Sequence, residues 1–169
     1  MSLALRNLQR AVPLRRALLR QRLQAVRGAL GVRAFDLGVV CVDNRKIQQM
    51  NRIYREQDTP TDVLSFPFHE CDSIMDMYGL KILNNSENKR TDLGKYFKQI
   101  CAVYQYQNWE EQKCKLVSVT ATHGLCHLLG FTHSTEAEWQ KMYQKEKQVL
   151  QELNKHMGTR LQPLSRGLF

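Results

Sequence analysis

The sequence predicts an α/β fold, a small mixed β-sheet packed with helices, on three observations. Residues 35–42 (FDLGVVCV) form a short, almost wholly apolar run rich in valine, as in a central strand buried on both faces. Leu19, Leu23, Val26 and Leu30 recur at spacings of 4, 3 and 4, the period of an amphipathic helix. Trp139, Met142, Tyr143, Glu146, Val149 and Leu153 mark one face of a second, longer helix. A chain of 169 residues, 43% of them hydrophobic, can build one core without disulfide staples. No internal repeat and no Gly-Ser or Pro-rich linker divides it, so we expect one domain.

Each element has its own signal. Residues 2–9 alternate weakly, as a short strand does, and Pro13 permits a helix to begin with Leu14. That helix sets a dry face against a face carrying Arg20, Arg22 and Arg27, and Gly31 stops it. The buried strand 35–42 follows. Asp43 or Asn44 then caps a helix over 45–55, with Ile47, Met50 and Tyr54 on one side, and the sequence DTPT at 58–61 breaks it. Residues 63–66 read as the next strand, ended by Pro67. Periodicity is lost over 68–90, where asparagines gather, and a loop is expected there. Leu93, Phe97, Ile100, Cys101 and Tyr104 restore a helical period, and another helix is expected from about Leu116 to Gly130. Thr135 and Glu138 form a capping box for the last helix, and a short polar tail follows Gly158.

Charge is distributed unevenly. Of the formal +9, eight units come from arginines within residues 1–35, a stretch without lysine or acid, which leaves 17 basic residues against all 16 acidic ones afterwards. Arg-rich, acid-free N-termini able to form amphipathic helices are what mitochondrial import uses. The same charge would also suit a surface that faces phosphate, and the two readings are compatible. We therefore expect a mitochondrial location, with nucleus or cytoplasm as the alternative. No run of 18 apolar residues exists, so no membrane span is expected. Cys41, Cys71, Cys101, Cys114 and Cys126 are odd in number and contain no C-x-x-C pair, which reads as reduced, mostly buried thiols.

The chemistry concentrates in residues 123–133, HGLCHLLGFTH, which hold three of the five histidines. On a helix, His123 and His127 stand on one face about 6 Å apart at Cβ, close enough for both imidazoles to reach one ion at about 2 Å. A third ligand cannot come from the same straight helix, so the chain must turn. Gly130 can adopt the left-handed conformation that ends a helix, and His133 then returns from beyond the turn. Three neutral nitrogen ligands leave a metal its full charge and an open position, the pattern of a catalytic site, in which bound water has a pKa of about 7. Zinc, one ion per chain, is the expected metal among first-row ions. The ligand spacing is that of metzincin proteases, but Gly124 stands where those enzymes place their glutamate base, which disfavours a zinc peptidase.

The same stretch resembles the signature H-G-x-L-H-L-x-G-Y-D-H of the YbeY endoribonucleases, or rRNA maturation factors. A second segment, residues 51–68 (NRIYREQDTPTDVLSFPF), resembles that family's Arg-containing helix end, turn and strand. Phe131 and Thr132 replace the family's Tyr-Asp, and residues 70–115 depart from its pattern, where a Leu-Gly-Asp-Ile strand is usual. The resemblance implies a YbeY-like domain over residues 1–160 with a tail at 161–169. It also implies a three-histidine zinc site and single-strand-specific cleavage of RNA in the maturation of small-subunit ribosomal RNA. The implied partners are single-stranded and ribosomal RNA and small-subunit ribosomal proteins, with no membrane and no organic cofactor. Arg55 matches the family's functionally important arginine, and its guanidinium could hold phosphate oxygens in the transition state in a bidentate way. Arg52 and Ser65 are candidates for lining the RNA path. RNA carries its own nucleophile in the 2′-hydroxyl, so a metal and a positive charge suffice in principle. The alternative is a catalytically impaired isoform that acts as a ribosome- or rRNA-binding module.

Overall fold

The structure is a computed structural model that describes residues 3–10, 13–67, 97–103 and 110–167. The expected loop at 68–90 and Asp92 to Lys95 lie outside the described residues. Four strands form one mixed sheet: β1 (Leu3–Asn7), β2 (Asp36–Val42), β3 (Val63–Pro67) and β4 (Phe97–Val103), in the order β1-β2-β4-β3. β1 and β4 flank β2 in parallel, and β3 closes the other side antiparallel to β4. β2 is buried from Leu37 to Val42, as its continuous apolar run requires.

Four helices cover the sheet: α1 (Arg16–Ala29), α2 (Asn44–Arg55), α3 (Glu110–Leu128) and α4 (Glu136–Met157). Because side chains alternate along a strand, β2 feeds two cores. Leu37, Val39 and Cys41 join Leu19, Leu23 and Val26 of α1, Val117, Ala121 and Leu125 of α3, and Met142, Val149 and Leu153 of α4. Val40 and Val42 face the other way, onto Ile47 and Met50 of α2 with Leu64 and Phe66 of β3.

Local chemistry fixes the ends of these elements. Asp43 caps α2 by accepting from the Lys46 N–H at 2.8 Å. Gly31, at φ 71°, closes α1 while the Val32 N–H reaches back to the Arg27 carbonyl at 2.9 Å. The segment after Gly158 is not a free tail. Asn154 accepts from the Leu161 N–H and donates to its carbonyl, and Leu161 and Ser165 are buried.

Three expectations need correction. The helical period of Leu93 to Tyr104 does not give a helix, because residues 97–103 are β4, paired on both edges. A short apolar run satisfies both periods, and the two open strand edges on either side decide the outcome. α3 starts at Glu110, six residues before the expected point. The arginines of α1 do not share one solvated face, since Arg20 is exposed but Arg22 and Arg27 are buried. Arg27 donates to the carbonyls of Arg33 and Phe35 and so ties the end of α1 to the start of β2. Burial pulls its pKa down from the ordinary value, with Asp36 acting in the opposite sense.

Among the described residues, Cys41 and Cys126 are buried cysteines that form no disulfide. Burial, reinforced by Glu146, pushes the Cys126 thiol up to about 12. The side chains of Cys71, Cys101 and Cys114 lie outside the described residues.

Candidate metal centre

The three histidines converge where α3 ends and the chain turns back toward α4. His123 and His127 stand one turn apart on α3, and their Nε2 atoms are 3.1 Å from each other. Gly130, at φ 91°, then reverses the chain as expected, with its N–H on the His127 carbonyl and the Phe131 N–H on the Cys126 carbonyl. His133 follows, its ring centroid 4.9 Å from that of His127 and 5.4 Å from that of His123. One candidate ligand atom from each of the three lies within 4.8 Å of the others.

Hydrogen bonds set which nitrogen of each α3 histidine is available. The Nδ1 of His127 donates to the Phe131 carbonyl at 3.0 Å. That of His123 donates to Glu146 Oε1 at 2.5 Å. Each Nε2 is then left with a lone pair, and the two lone pairs face one another. Two such nitrogens would repel unless a cation lay between them. Their separation is close to the roughly 3.3 Å edge of a tetrahedron whose ligands sit about 2.05 Å from the ion. The donor set therefore fits a first-row metal held by three imidazoles. Burial and the neighbouring His123 pull the His127 pKa down, which favours the neutral form that ligation needs.

Glu146 is the one carboxylate on the face that the period of α4 marks, and its partners explain its burial. It occupies the apolar face of α4 and is 1% exposed. One oxygen accepts from the His123 Nδ1–H, and the other accepts from both the backbone N–H (3.2 Å) and the hydroxyl (3.0 Å) of Ser165. A carboxylate in a buried stripe signals by itself that something must compensate its charge. Nothing in the sequence marked Ser165.

Arg55 ends α2, where Glu56 adopts a left-handed conformation at φ 58°. Its guanidinium donates to the carbonyls of Tyr54 (3.1 Å) and Ser65 (3.2 Å) and lies over the Phe66 ring, 5.2 Å from the centroid. The Ser65 hydroxyl in turn donates to the carbonyl of Gly124, the neighbour of His123, at 3.0 Å. Arg55 is thus exposed but attached through β3 to the helix that carries the histidines. Arg52, one turn earlier, is exposed and makes no hydrogen bond to these groups among the described residues. Thr132, where the family has a carboxylate, hydrogen-bonds the side chain of Glu138 and helps hold that carboxyl below its ordinary value.

The family model described as endoribonuclease YbeY matches residues 6–154, a span that runs through 70–115. A human protein named endoribonuclease YbeY is 53% identical, with all of this chain and 98% of that protein aligned. Proteins of the same name from Aquifex aeolicus and Acholeplasma laidlawii are each 33% identical, over 75% and 69% of this chain and 76% and 73% of theirs. With the histidine cluster in place on a mixed α/β fold, and the match extending over most of its length, the chain belongs to the YbeY endoribonuclease family.

Proposed function

We propose that this chain is a metal-dependent endoribonuclease that acts in ribosomal RNA maturation. The observation that carries the reading is the convergence of His123, His127 and His133, with both α3 imidazoles turned by Nδ1 partners so that Nε2 faces the shared centre. The three histidines would hold one zinc ion per chain, and zinc bound there supplies Lewis-acid charge for an attacked phosphodiester. Arg55 binds the phosphate oxygens as a fork and stabilises charge as it develops. Ser65 fixes the distance between that arginine and the helix of the histidines, and Arg52 extends the positive surface along α2. Gly124 stands where peptidases of this ligand spacing place their glutamate base, and the Glu146 carboxylate is committed to His123 and Ser165, so peptide hydrolysis is disfavoured. An RNA-binding module with a disabled site is not favoured either, since the three histidines and the Nδ1 partners of His123 and His127 are present.

The substrate is single-stranded RNA from the ribosomal small subunit, and proteins of that subunit are candidate partners. A mitochondrial location, with nucleus or cytoplasm as the alternative, rests on the N-terminal arginines, of which Arg10, Arg15, Arg16, Arg20 and Arg33 are exposed. The test is elemental analysis of the purified chain together with cleavage of single-stranded RNA, with and without chelator, beside His127→Ala. About one zinc per chain, with cleavage lost on chelation and in the variant, supports the reading. Bound zinc with RNA held but uncut would move the protein to the module class.

A further inference from the structure

His123 and His127 are each placed twice, by the backbone of α3 and by an acceptor at Nδ1, the Glu146 carboxylate for one and the Phe131 carbonyl for the other. His133 has neither support. It lies between α3 and α4, and no hydrogen bond among the described residues holds its ring. Its imidazole can meet the other two only where its backbone puts it. Upstream, that backbone leaves α3 through the Gly130 turn, with the Phe131 N–H on the Cys126 carbonyl at 3.0 Å. Downstream, the first turn of α4 reaches back through Glu138.

The Glu138 carboxylate touches both neighbours of His133. Its Oε2 accepts from the N–H of Ser134, the residue after, at 3.1 Å. The same side chain hydrogen-bonds the hydroxyl of Thr132, the residue before, and the two share the wall of an open hollow of about 330 Å³ beside Gly130. Lys141 lines the hollow as well. Thr132 first, then the N–H groups of Ser134 and Thr135, and last the charge of Lys141 hold the Glu138 carboxyl below its ordinary value, so it is an anionic acceptor at neutral pH. Capping α4 requires only part of this. In a capping box the residue at the third helical position returns to the N–H at the start of its own helix, while Thr135 Oγ1 accepts from the Glu138 N–H, here at 3.3 Å. The reach to Thr132 passes beyond the cap to the far side of His133.

We propose that Glu138 is a positioning residue for the metal centre, a clamp that closes on Thr132 and Ser134 and so fixes where His133 presents its ligand nitrogen. The proposal rests on the metal-binding reading above and deepens it. With the clamp closed, the segment that carries His133 is ordered before an ion arrives. With it open, binding must order that segment, and affinity falls by the conformational entropy lost. The effect is confined to one ligand of the three, because the backbone of α3 keeps His123 and His127 in place. Glu138 thus serves His133 as Glu146 serves His123, except that it acts on the backbone to either side of the ligand and not on the ring.

The test measures zinc affinity of the purified chain by chelator competition, with cobalt(II) as a coloured substitute whose visible absorption is strong in a tetrahedral site and weak when water replaces an imidazole and the coordination number rises. Glu138→Ala should weaken zinc by about tenfold, the low end of what groups supporting a ligand contribute, and should lower the cobalt absorption at saturating metal. Glu138→Gln should recover most of both, since its amide oxygen can accept from Ser134 while its N–H donates to the Thr132 hydroxyl. Thr132→Val separates the clamp from the helix cap. It should weaken zinc in the same direction while the metal-free chain keeps its thermal midpoint. Thr135→Ala should do the reverse, lowering the midpoint of the metal-free chain through the lost cap and leaving zinc affinity within about twofold of the parent. Unchanged zinc affinity and cobalt absorption in a folded Glu138→Ala protein overturn the clamp. So does a loss that Thr135→Ala reproduces and Thr132→Val does not, which would leave Glu138 as a helix cap. If Glu138→Ala does not fold, Thr132→Val decides alone. A parent chain that binds neither zinc nor cobalt is a different failure, that of the metal-binding reading itself.

Discussion

His123 and Glu146 face each other across the α3–α4 interface with Nδ1 and Oε1 2.5 Å apart, both side chains almost completely buried. The carboxylate holds the imidazole in one tautomer and orientation, and Ser165 holds the carboxylate. The residues that close the chain therefore reach the metal centre through two hydrogen bonds.

Glu146→Gln tests this relay. The glutamine carbonyl oxygen can serve His123 or Ser165 but not both, because its other end is a donor and would meet a second donor. Removing such a partner typically lowers metal affinity by roughly 10- to 100-fold. We expect a loss of that size in a chelator competition titration. Ser165→Ala should move affinity in the same direction by less, since the backbone N–H of residue 165 still supports the carboxylate. Unchanged zinc affinity in a folded Glu146→Gln protein would remove Glu146 from the centre.

The two terminal nitrogens of the exposed Arg55 guanidinium each donate to a carbonyl, of Tyr54 and of Ser65, which fixes the position of its charge. Deleting a preorganised donor to transition-state charge typically costs about 10²- to 10³-fold in kcat. Arg55→Ala should fall in that range with zinc content unchanged. Arg55→Lys should recover little, because an ammonium cannot hold Ser65 and two phosphate oxygens as a fork does. A kcat within twofold of the parent in Arg55→Ala would reduce this residue to a surface cation.

Most of this centre was legible because its spacing obeys helix geometry. The i, i+4 pair His123 and His127, the glycine at 130 and the return of His133 form a local pattern that a sequence displays directly. The partners of those histidines were not legible in the same way. Glu146 lies 23 residues from His123 and Ser165 another 19 beyond, so their meeting is a product of how α4 packs on α3. β4 was misread for a related reason. Its seven residues satisfy a helical period, and only the vacant edges of β2 and β3 make them a strand. The period of α1 sets Arg22 and Arg27 apart from the apolar stripe, whereas both are buried and the end of α1 uses Arg27 as an internal strut.

Gly130 carries the turn that returns His133. At φ 91° it lies where a side chain is strained even though a Cβ there would touch nothing within 4 Å. Gly130→Ala should thus destabilise through backbone strain alone, by about 1–2 kcal/mol, read as a lower denaturation midpoint of the zinc-free chain. If the strain is relieved by shifting the turn, His133 moves with it and zinc affinity falls as well. Equal stability and equal zinc affinity would show that the turn does not depend on glycine.

The N-terminal arginines pose a problem that truncation cannot solve. Deleting residues 1–10 as a test of import would remove β1, whose Leu3 to Asn7 pair with Leu37 to Cys41, and would take away the carbonyl of Leu3 that Arg20 holds at 2.8 Å. The deletion would expose an edge of β2 and part of the main core, so loss of the protein from mitochondria would report misfolding as readily as lost targeting. Charge can be removed without this damage. Arg10, Arg15 and Arg16 are exposed, and glutamine at all three preserves helix propensity while taking three units from the segment. If import reads positive charge, the triple variant should shift toward the cytosol in fractionated cells while its purified form keeps the parent's thermal midpoint within a few degrees. Undiminished mitochondrial signal would mean that these three charges do not direct import and would leave them to a phosphate-facing surface. That second role has its own readout, a shallower salt dependence of RNA binding in the same variant.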